Sequence, residues 1–85
     1  MKVKVLFFAG LREQLGTPAE EIDLPSGVRT VGSLRAHLLQ RGEKWQSALG
    51  EQRLVRAAVN QDMVPATAGI KGGDEVAFFP PVTGG

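Results

Sequence analysis

Length, composition and charge restrict the kinds of protein that this chain can be. Its 85 residues suffice for one compact domain. A second hydrophobic core is implausible, because so short a chain buries only roughly 60–65% of its unfolded surface. A net charge of +1 is too small to attract nucleic acid or an anionic membrane, so neither is an expected partner. With no cysteine there is no disulfide and no thiol nucleophile, and we expect the chain in the cytoplasm.

The chain begins with the pattern of a half-buried strand. Val3, Val5 and Phe7 lie at alternate positions, which places them on one face of a strand over residues 2–8. The opposite face carries Lys2, Lys4, Leu6 and Phe8. The apolar run from Val5 to Ala9 is too short for the hydrophobic region of a signal peptide or for a membrane span, so we expect neither.

A helical turn and a second strand follow. Leu11 and Leu15 are four residues apart, a spacing that puts both on one side of a helical turn, which Gly16 ends. Ile22 and Leu24 then alternate with charged residues and predict a strand that stops at the following Pro-Ser-Gly turn.

The strongest helix pattern lies in the centre of the chain. Thr30 is placed to cap it, Val31, Leu34 and Leu38 share one stripe, and Gly42 is placed to end it. This apolar stripe is expected to cover one face of the sheet. The next segment, residues 43–52, has mixed signals, and we interpret Trp45 within it as a core residue.

The last third predicts a hairpin and a final strand. Residues 54–59 form a strand with alternate side chains turned inward, namely Val55, Ala57 and Val59, and with Arg56 turned outward. A tight turn at residues 60–62 leads into Met63 and Val64. The final strand, residues 75–79, begins after a Gly-Gly-Asp turn and ends at Pro80 and Pro81.

This order of elements predicts an α+β fold with one principal helix across one face of a mixed sheet. The β-grasp arrangement fits best, with the first and last strands as parallel central neighbours. We therefore predict a β-grasp domain over residues 1–81 and a flexible Gly-Gly tail over residues 82–85.

Side chains that could perform chemistry are scarce. His37 is the single histidine and lies between arginines in the helix pattern, so we interpret it as a surface residue and predict no metal site. No pair of carboxylates is forced into one cleft, and no glycine pair belongs to a phosphate-binding loop. We expect the chain to bind no cofactor by itself.

The C-terminus is the remaining unusual feature. Pro80 and Pro81 stiffen the exit from the sheet, and Gly84 and Gly85 leave the tip without side chains. Six residues from Pro80 span roughly 20 Å when extended, enough to enter a channel in another protein. A carboxylate at neutral pH resists nucleophiles, so a functional C-terminus has to be activated by a partner, most simply with ATP. Gly-Gly by itself is more typical of a disordered terminus than of a functional one.

A second feature predicts a protein partner. On the sheet face away from the helix, strand parity collects Leu6, Phe8 and Phe79, and the hairpin adds Met63. Such a patch on a small domain usually marks an interface. The alternative is that residues 43–52 fold over this face and bury it.

Three stretches of the chain resemble the MoaD family, the small sulfur-carrier subunits of molybdopterin synthase. They are residues 4–9 with the following Leu11-Arg12-Glu13, then residues 57–61, and above all GDEVAFFPPVTGG at residues 73–85. The resemblance implies a ubiquitin-like β-grasp fold. It also implies a non-catalytic carrier subunit of a sulfurtransferase whose active site lies on the partner subunit.

The resemblance further implies a reaction cycle and a set of partners. An E1-like enzyme would use ATP to adenylate Gly85, and persulfide-derived sulfur would convert the adenylate to a thiocarboxylate. The large synthase subunit would receive the tail and use the sulfur to form the dithiolene of molybdopterin, in a heterotetramer of two small and two large subunits. The family's partner-binding positions map onto Phe8, Arg12, Met63 and Phe79, and the tail motif adds Pro80, Pro81, Val82 and Thr83. Gly84 and Gly85 form the reactive end of the tail.

Other readings of the same tail stay open at this point. A sulfur carrier for thiamine synthesis or tRNA thiolation, and a ubiquitin-like protein modifier, use the same chemistry. A purely structural interaction domain is a different class and predicts that Gly85 is dispensable.

Overall fold

A computed structural model describes residues 1–81, which contain five strands and three helices. The strands are β1 (Lys2–Phe7), β2 (Ala19–Asp23), β3 (Arg56–Val59), β4 (Asp62–Val64) and β5 (Glu75–Phe79). The helices are α1 (Gly10–Leu15), α2 (Val31–Leu39) and α3 (Glu43–Leu49). The tail predicted over residues 82–85 lies outside the described residues.

The strands form one mixed sheet in the order β2-β1-β5-β3-β4. The central pair, β1 and β5, is parallel, with Val5 opposite Val76, and the other pairs are antiparallel. The predicted parallel pairing of the first and last strands is therefore confirmed, and so is the predicted α+β, β-grasp arrangement.

All three helices pack on the same face of this sheet. Val3, Val5 and Phe7 of β1 are buried against Leu34 and Leu38 of α2, as their strand and helix periodicities predict. Thr30 caps α2 as predicted. Its hydroxyl accepts a hydrogen bond from the Ser33 amide at 3.0 Å, and the Ser33 hydroxyl accepts one from the Thr30 amide at 2.9 Å.

Trp45 lies in the core, as predicted. The Trp45 and Phe7 rings pack in a T-shaped arrangement with centroids 5.7 Å apart. The Arg41 guanidinium lies over the Trp45 ring, 4.8 Å from the ring centroid. Because Trp45 anchors α3 beside α1 and α2, the alternative that residues 43–52 cover the opposite sheet face is wrong.

Two predicted boundaries are wrong for local reasons. Helix α2 ends at Leu39, and Gly42, with φ of 129°, starts α3 instead of ending α2. Strand β3 begins at Arg56, two residues later than predicted, and the Leu54 side chain is 81% exposed. The residues before Arg56 are held in a loop by hydrogen bonds to α2, which keep them out of the ladder.

None of the helices within residues 1–81 has the length and apolar character needed to cross a membrane.

Candidate functional site

The last residues that the structure describes, Pro80 and Pro81, follow a strand at the centre of the sheet. Strand β5 lies between β1 and β3. Its last residue, Phe79, pairs with Arg56 of β3, and its pairing with β1 ends one residue earlier, at Phe7 and Phe78. Pro80 and Pro81 follow, both partly exposed. Proline has no amide hydrogen to continue a ladder, so the strand stops here. The tail is therefore attached to the central strand of the sheet, which has a neighbouring strand on each side.

One face of the sheet is free of helices and carries an apolar surface beside this exit. We call it the sheet-face patch, and it consists of Leu6, Phe8, Ala58, Met63, Ala77 and Phe79. Strand register places Leu6 opposite Ala77, Ala77 opposite Ala58, and Ala58 opposite Met63 in one row across four strands. Phe8 and Phe79 both directly follow the pair formed by Phe7 and Phe78. They bring aromatic rings to the end of the patch nearest the tail.

The sheet-face patch forms a shallow hollow with small, buried residues at its floor. Ala58 and Ala77 are each only 8% exposed although they lie outside the main core, because larger neighbours surround them. Phe8 is 45% exposed and Met63 is 60% exposed. Removing such side chains from water under a partner favours association by about 25 cal/mol for each Å² of apolar surface, and the entropy lost on association offsets part of this gain. The patch is therefore suited to an apolar protein surface.

Arg12 lies on a different element from the sheet-face patch. It is an exposed residue of α1, whose buried Leu11 and Leu15 face the core. The turn before α1 joins it directly to Phe8, whose carbonyl accepts a hydrogen bond from the Leu11 amide at 3.2 Å. Ala9 within this turn has φ of 54° and ψ of −132°. That conformation is costly for a residue with a Cβ, and such strain often accompanies binding sites.

A hydrogen-bond network fixes the start of β5. Asp74 is buried, and its carboxylate accepts hydrogen bonds from the Asn60 side chain at 3.0 Å and from the Lys71 amide at 2.9 Å. The Asn60 side-chain oxygen, Oδ1, in turn accepts a hydrogen bond from the Glu75 backbone amide at 3.0 Å. The Asn60 hydrogen bond, followed by the Lys71 amide, holds the pKa of Asp74 below its usual value. The hairpin turn and the strand that bears the tail are thus linked.

The structure brings together most of the predicted site residues that it describes. Phe8, Met63 and Phe79 share the helix-free face, and Pro80 and Pro81 follow at its end. Arg12 is separate, on α1. The predicted residues Val82, Thr83, Gly84 and Gly85 lie outside the described part of the chain.

Some residues of this surface were missed by sequence reasoning. Ala58 and Ala77 form the floor of the sheet-face patch, and Arg56 lies opposite Phe79 on the same face. Register across the hairpin would have indicated them, because Ala58 has the parity of Met63.

His37 is half-buried in α2. Within residues 1–81, no group of three or more histidine, aspartate or glutamate side chains is arranged to hold a metal ion.

Comparison with known proteins agrees with this geometry. The family model described as the ThiS family matches residues 5–85. The chain is 47% identical to the molybdopterin synthase sulfur carrier subunit of Haemophilus influenzae, over 98% of this chain and 99% of that protein. It is 49% identical to the protein of the same name from Escherichia coli, again over 98% of this chain and 99% of the relative.

The chain belongs to the ThiS family, among the molybdopterin synthase sulfur carrier subunits.

Solved structures similar to this ThiS-family chain share its whole fold. A putative subunit 1 of molybdopterin converting factor from Pyrococcus furiosus superposes with a TM-score of 0.78 at 36% identity, covering 96% of this chain and 99% of the other. A complex of subunits 1 and 2 of molybdopterin-converting factor from Helicobacter pylori contains a chain with a TM-score of 0.68 at 28% identity, covering 100% of both chains. The small archaeal modifier protein 1 (SAMP1) of Haloferax volcanii gives 0.75 at 26% identity, also with 100% coverage of both.

Proposed function

We propose that this chain is the sulfur-carrier subunit of a molybdopterin synthase and that Gly85 carries the sulfur as a thiocarboxylate. The observation that supports this most is the combination of a tail anchored to the central strand with an apolar patch at its base, in a chain nearly half identical to named sulfur carrier subunits. A tail that works inside another protein needs both a firm base and a surface on which that protein can rest.

Activation of the C-terminus requires a second protein. The terminal carboxylate is anionic at neutral pH and has no leaving group, so a nucleophile does not displace its oxygen. An E1-like enzyme supplies ATP, the carboxylate attacks the α-phosphorus, and pyrophosphate leaves. The terminal sulfur of a persulfide then displaces AMP and forms an acyl disulfide with Gly85. A thiol attacks the sulfur on the donor side of this acyl disulfide, which releases the Gly85 thiocarboxylate and leaves a disulfide between the thiol and the sulfur donor. Glycine at the last position keeps the acyl carbon free of a neighbouring side chain during both attacks.

The large synthase subunit is the second partner in this proposal. It receives the loaded tail in its active site, where the sulfur is used to form the dithiolene of molybdopterin. Phe8, Met63 and Phe79 of the sheet-face patch rest on it, Arg12 adds a charged contact, and Pro80 to Gly84 pass into its channel. The complex of subunits 1 and 2 from Helicobacter pylori supports a partner of this kind. Two small and two large subunits form the heterotetramer.

Removal of Gly85 tests this function directly. We expect that deleting Gly85, or adding one serine after it, abolishes molybdopterin formation in a reconstituted synthase, because the acyl carbon no longer reaches either active site. Intact-mass measurement after incubation with the activating enzyme, ATP and a sulfur donor reports whether one oxygen at the C-terminus is replaced by sulfur. Thermal unfolding of the variants should match the wild-type protein.

Gly27→Ala is a matched control. Gly27 is exposed in a turn with no other atom within 4 Å of an added Cβ, so this change is expected to leave sulfur loading and molybdopterin formation intact. If the chain without Gly85 still supports molybdopterin formation, the carrier mechanism is wrong.

A protein-modifier function is the second candidate, because the chain also resembles small archaeal modifier protein 1 in fold. The same intact-mass experiment, repeated with cell extract, separates the two. A carrier yields the thiocarboxylate, whereas a modifier yields an amide between Gly85 and a lysine of another protein.

A further inference from the structure

Leu54 is the most exposed large apolar side chain in the described part of the molecule, and the sulfur-carrier function proposed above does not use it. Its side chain is 81% exposed, compared with 60% for Met63 and 45% for Phe8 of the sheet-face patch. It precedes β3 and therefore lies outside the sheet. A leucine kept in water forgoes the stabilisation that burial of its side chain would provide.

The loop that bears Leu54 is held firmly, so the exposure is built into the fold. The Arg35 guanidinium of α2 donates hydrogen bonds to three carbonyls of this segment: Leu49 at 2.6 Å, Gly50 at 2.8 Å and Arg53 at 2.9 Å. Burial lowers the pKa of Arg35, as expected for a guanidinium placed among protein groups.

Two further features restrict the same loop. The Arg53 side chain donates a hydrogen bond to the Ser47 carbonyl at 2.8 Å, which ties the loop back to α3. Gly50 has no room for a side chain, because an added Cβ would collide with the Gln46 carbonyl oxygen. The loop that places Leu54 in solvent is thus hydrogen-bonded to both α2 and α3.

Leu54 lies between two grooves at the base of the tail. One groove, about 390 Å³ in volume, runs between Leu54 and Pro80 past α1. The other, about 260 Å³, is lined by Leu54, Arg56 and Pro81. Each groove therefore includes Leu54 and one of the two prolines that precede the tail.

Arg56 connects this region to the sheet-face patch. It lies opposite Phe79 in the β3–β5 ladder, and it also lines the second groove with Leu54. Arg56 is exposed and makes no salt bridge with another residue in the range 1–81. An exposed arginine between two apolar contacts favours a partner surface with a carboxylate flanked by apolar groups.

We propose that Leu54 and Arg56 form a second binding surface, the Leu54 shoulder, for the large subunit of molybdopterin synthase. This inference rests on the proposed function. The large subunit contacts the shoulder through an apolar group that packs on Leu54 and a carboxylate that pairs with Arg56. Together with the sheet-face patch, the shoulder encloses the base of the tail from two sides. This fixes the direction in which the tail enters the partner.

The large subunit is the occupant because the shoulder is continuous with the sheet-face patch through Arg56 and Pro81. The backbone of the loop before Leu54 is also preorganised by its hydrogen bonds, so less conformational entropy is lost when a partner binds there. A second copy of this chain and the activating enzyme are the other occupants that the experiment distinguishes.

Leu54→Ser tests the shoulder in titration calorimetry of the full chain with the purified large subunit. We expect the Kd to rise at least about fivefold, as for removal of a central apolar contact. The melting temperature should not change, because Leu54 is exposed. Ala36→Ser, at an exposed position of α2, is the control and should alter the Kd by less than about twofold. An unchanged Kd for Leu54→Ser overturns the proposal.

Charge reversal tests the other half of the shoulder. We expect Arg56→Glu to raise the Kd about fivefold or more at low salt, with a smaller effect at 1 M salt, where the Debye length is about 3 Å. Lys44→Glu, in the first turn of α3, makes the same change in net charge away from the shoulder and is the control. Equal effects of the two reversals would show a general electrostatic attraction and overturn the local contact.

Three further measurements separate this proposal from its alternatives and from the proposed function. If Leu54→Ser keeps its affinity for the large subunit but loses thiocarboxylate formation, the shoulder belongs to the activating enzyme. If sedimentation shows a wild-type dimer that Leu54→Ser abolishes, the occupant is a second copy. If Phe79→Asp weakens binding while Leu54→Ser does not, only the shoulder is wrong. If neither change weakens binding, the proposed interface with the large subunit is wrong as well.

Discussion

At the scale of single residues, Ala9 shows where the molecule accepts local strain. The Phe8 carbonyl and the Leu11 amide close a four-residue turn in which Ala9 occupies the first central position. Its φ of 54° and ψ of −132° are those of a type II′ turn, which favours glycine at this position. The strained residue lies between Phe8 and Arg12, which we propose as partner-binding residues. A sharp turn here lets a strand residue and a helix residue face the same partner.

Ala9→Gly is expected to stabilise the free subunit by about 1 kcal/mol. Removing the Cβ relieves strain of roughly 1–3 kcal/mol, and the greater backbone entropy of glycine in the unfolded chain offsets part of this gain. Urea denaturation followed by circular dichroism measures the change.

Ala36→Gly is the matched control for this substitution. Ala36 lies within α2, where glycine costs about 1 kcal/mol relative to alanine, so the control should move stability in the opposite direction. Destabilisation by Ala9→Gly would contradict this, because it would show that contacts of the Ala9 methyl group stabilise the fold by more than the backbone strain destabilises it.

At the scale of elements, Asp74 joins the β3–β4 hairpin to the start of β5. Its carboxylate accepts hydrogen bonds from Asn60 and from the Lys71 amide, and its backbone carbonyl accepts one from Lys4 of β1 at 2.9 Å. The β3–β4 turn and β1 are therefore joined at Asp74, the residue before β5. Because β5 carries the tail, this junction determines where the tail starts.

The Asp74 junction makes stability depend on pH. Hydrogen bonds lower the pKa of Asp74 in the folded state, so its contribution is fully present above the unfolded-state pKa of about 3.9. It is lost as the pH falls through the lower folded-state pKa. We expect Asp74→Asn to destabilise the protein by about 1–2 kcal/mol at pH 7. The difference from wild type should shrink as the pH is lowered below about 4, since protonated aspartate resembles asparagine.

Urea denaturation at pH 7, 5 and 3 measures this dependence. Asp62→Asn is the control, because Asp62 is exposed at the start of β4. A constant difference between wild type and Asp74→Asn across the three pH values would contradict the role assigned to the Asp74 charge.

At the scale of the whole molecule, the proposed function depends on the distance from the docking surface to the C-terminus. The sheet-face patch and the Leu54 shoulder determine where the partner rests, whereas the number of residues after Pro81 determines how far Gly85 reaches. The two properties are separable, because the residues that bind the partner surface are not those that lengthen the tail.

Inserting Gly-Gly between Pro81 and Val82 separates binding from transfer. Two residues add up to about 7 Å to the tail. We expect affinity for the large subunit to change by less than about twofold, because the docking surface is intact. Sulfur transfer should slow at least about tenfold, because the thiocarboxylate no longer lies at the reacting distance. Single-turnover measurement with preformed thiocarboxylate gives the transfer rate.

The same insertion after Gly27 is the control. It lengthens an exposed turn between β2 and α2 and should affect neither binding nor transfer. Transfer at the wild-type rate with the lengthened tail would mean that the partner positions the C-terminus without using the base of the tail.

The sequence by itself determined the features that depend on neighbours along the chain. Alternation in β1 and the 3,4 spacing in α2 predicted which side chains are buried, since strand and helix periods act within a few residues. Thr30 as a cap and Gly16, with its φ of 76°, as a helix end were predictable for the same reason. Parity along the strands also predicted the partly exposed Phe8, Met63 and Phe79.

Only the tertiary structure decided the features that depend on residues far apart in the chain. The side of the sheet that α3 covers follows from the contact of Trp45 with Phe7, which are 38 residues apart. The exposed position of Leu54 follows from hydrogen bonds between Arg35 and carbonyls up to 18 residues away, which replace the predicted start of β3. No periodicity records such contacts, because they form only when the helices have packed on the sheet.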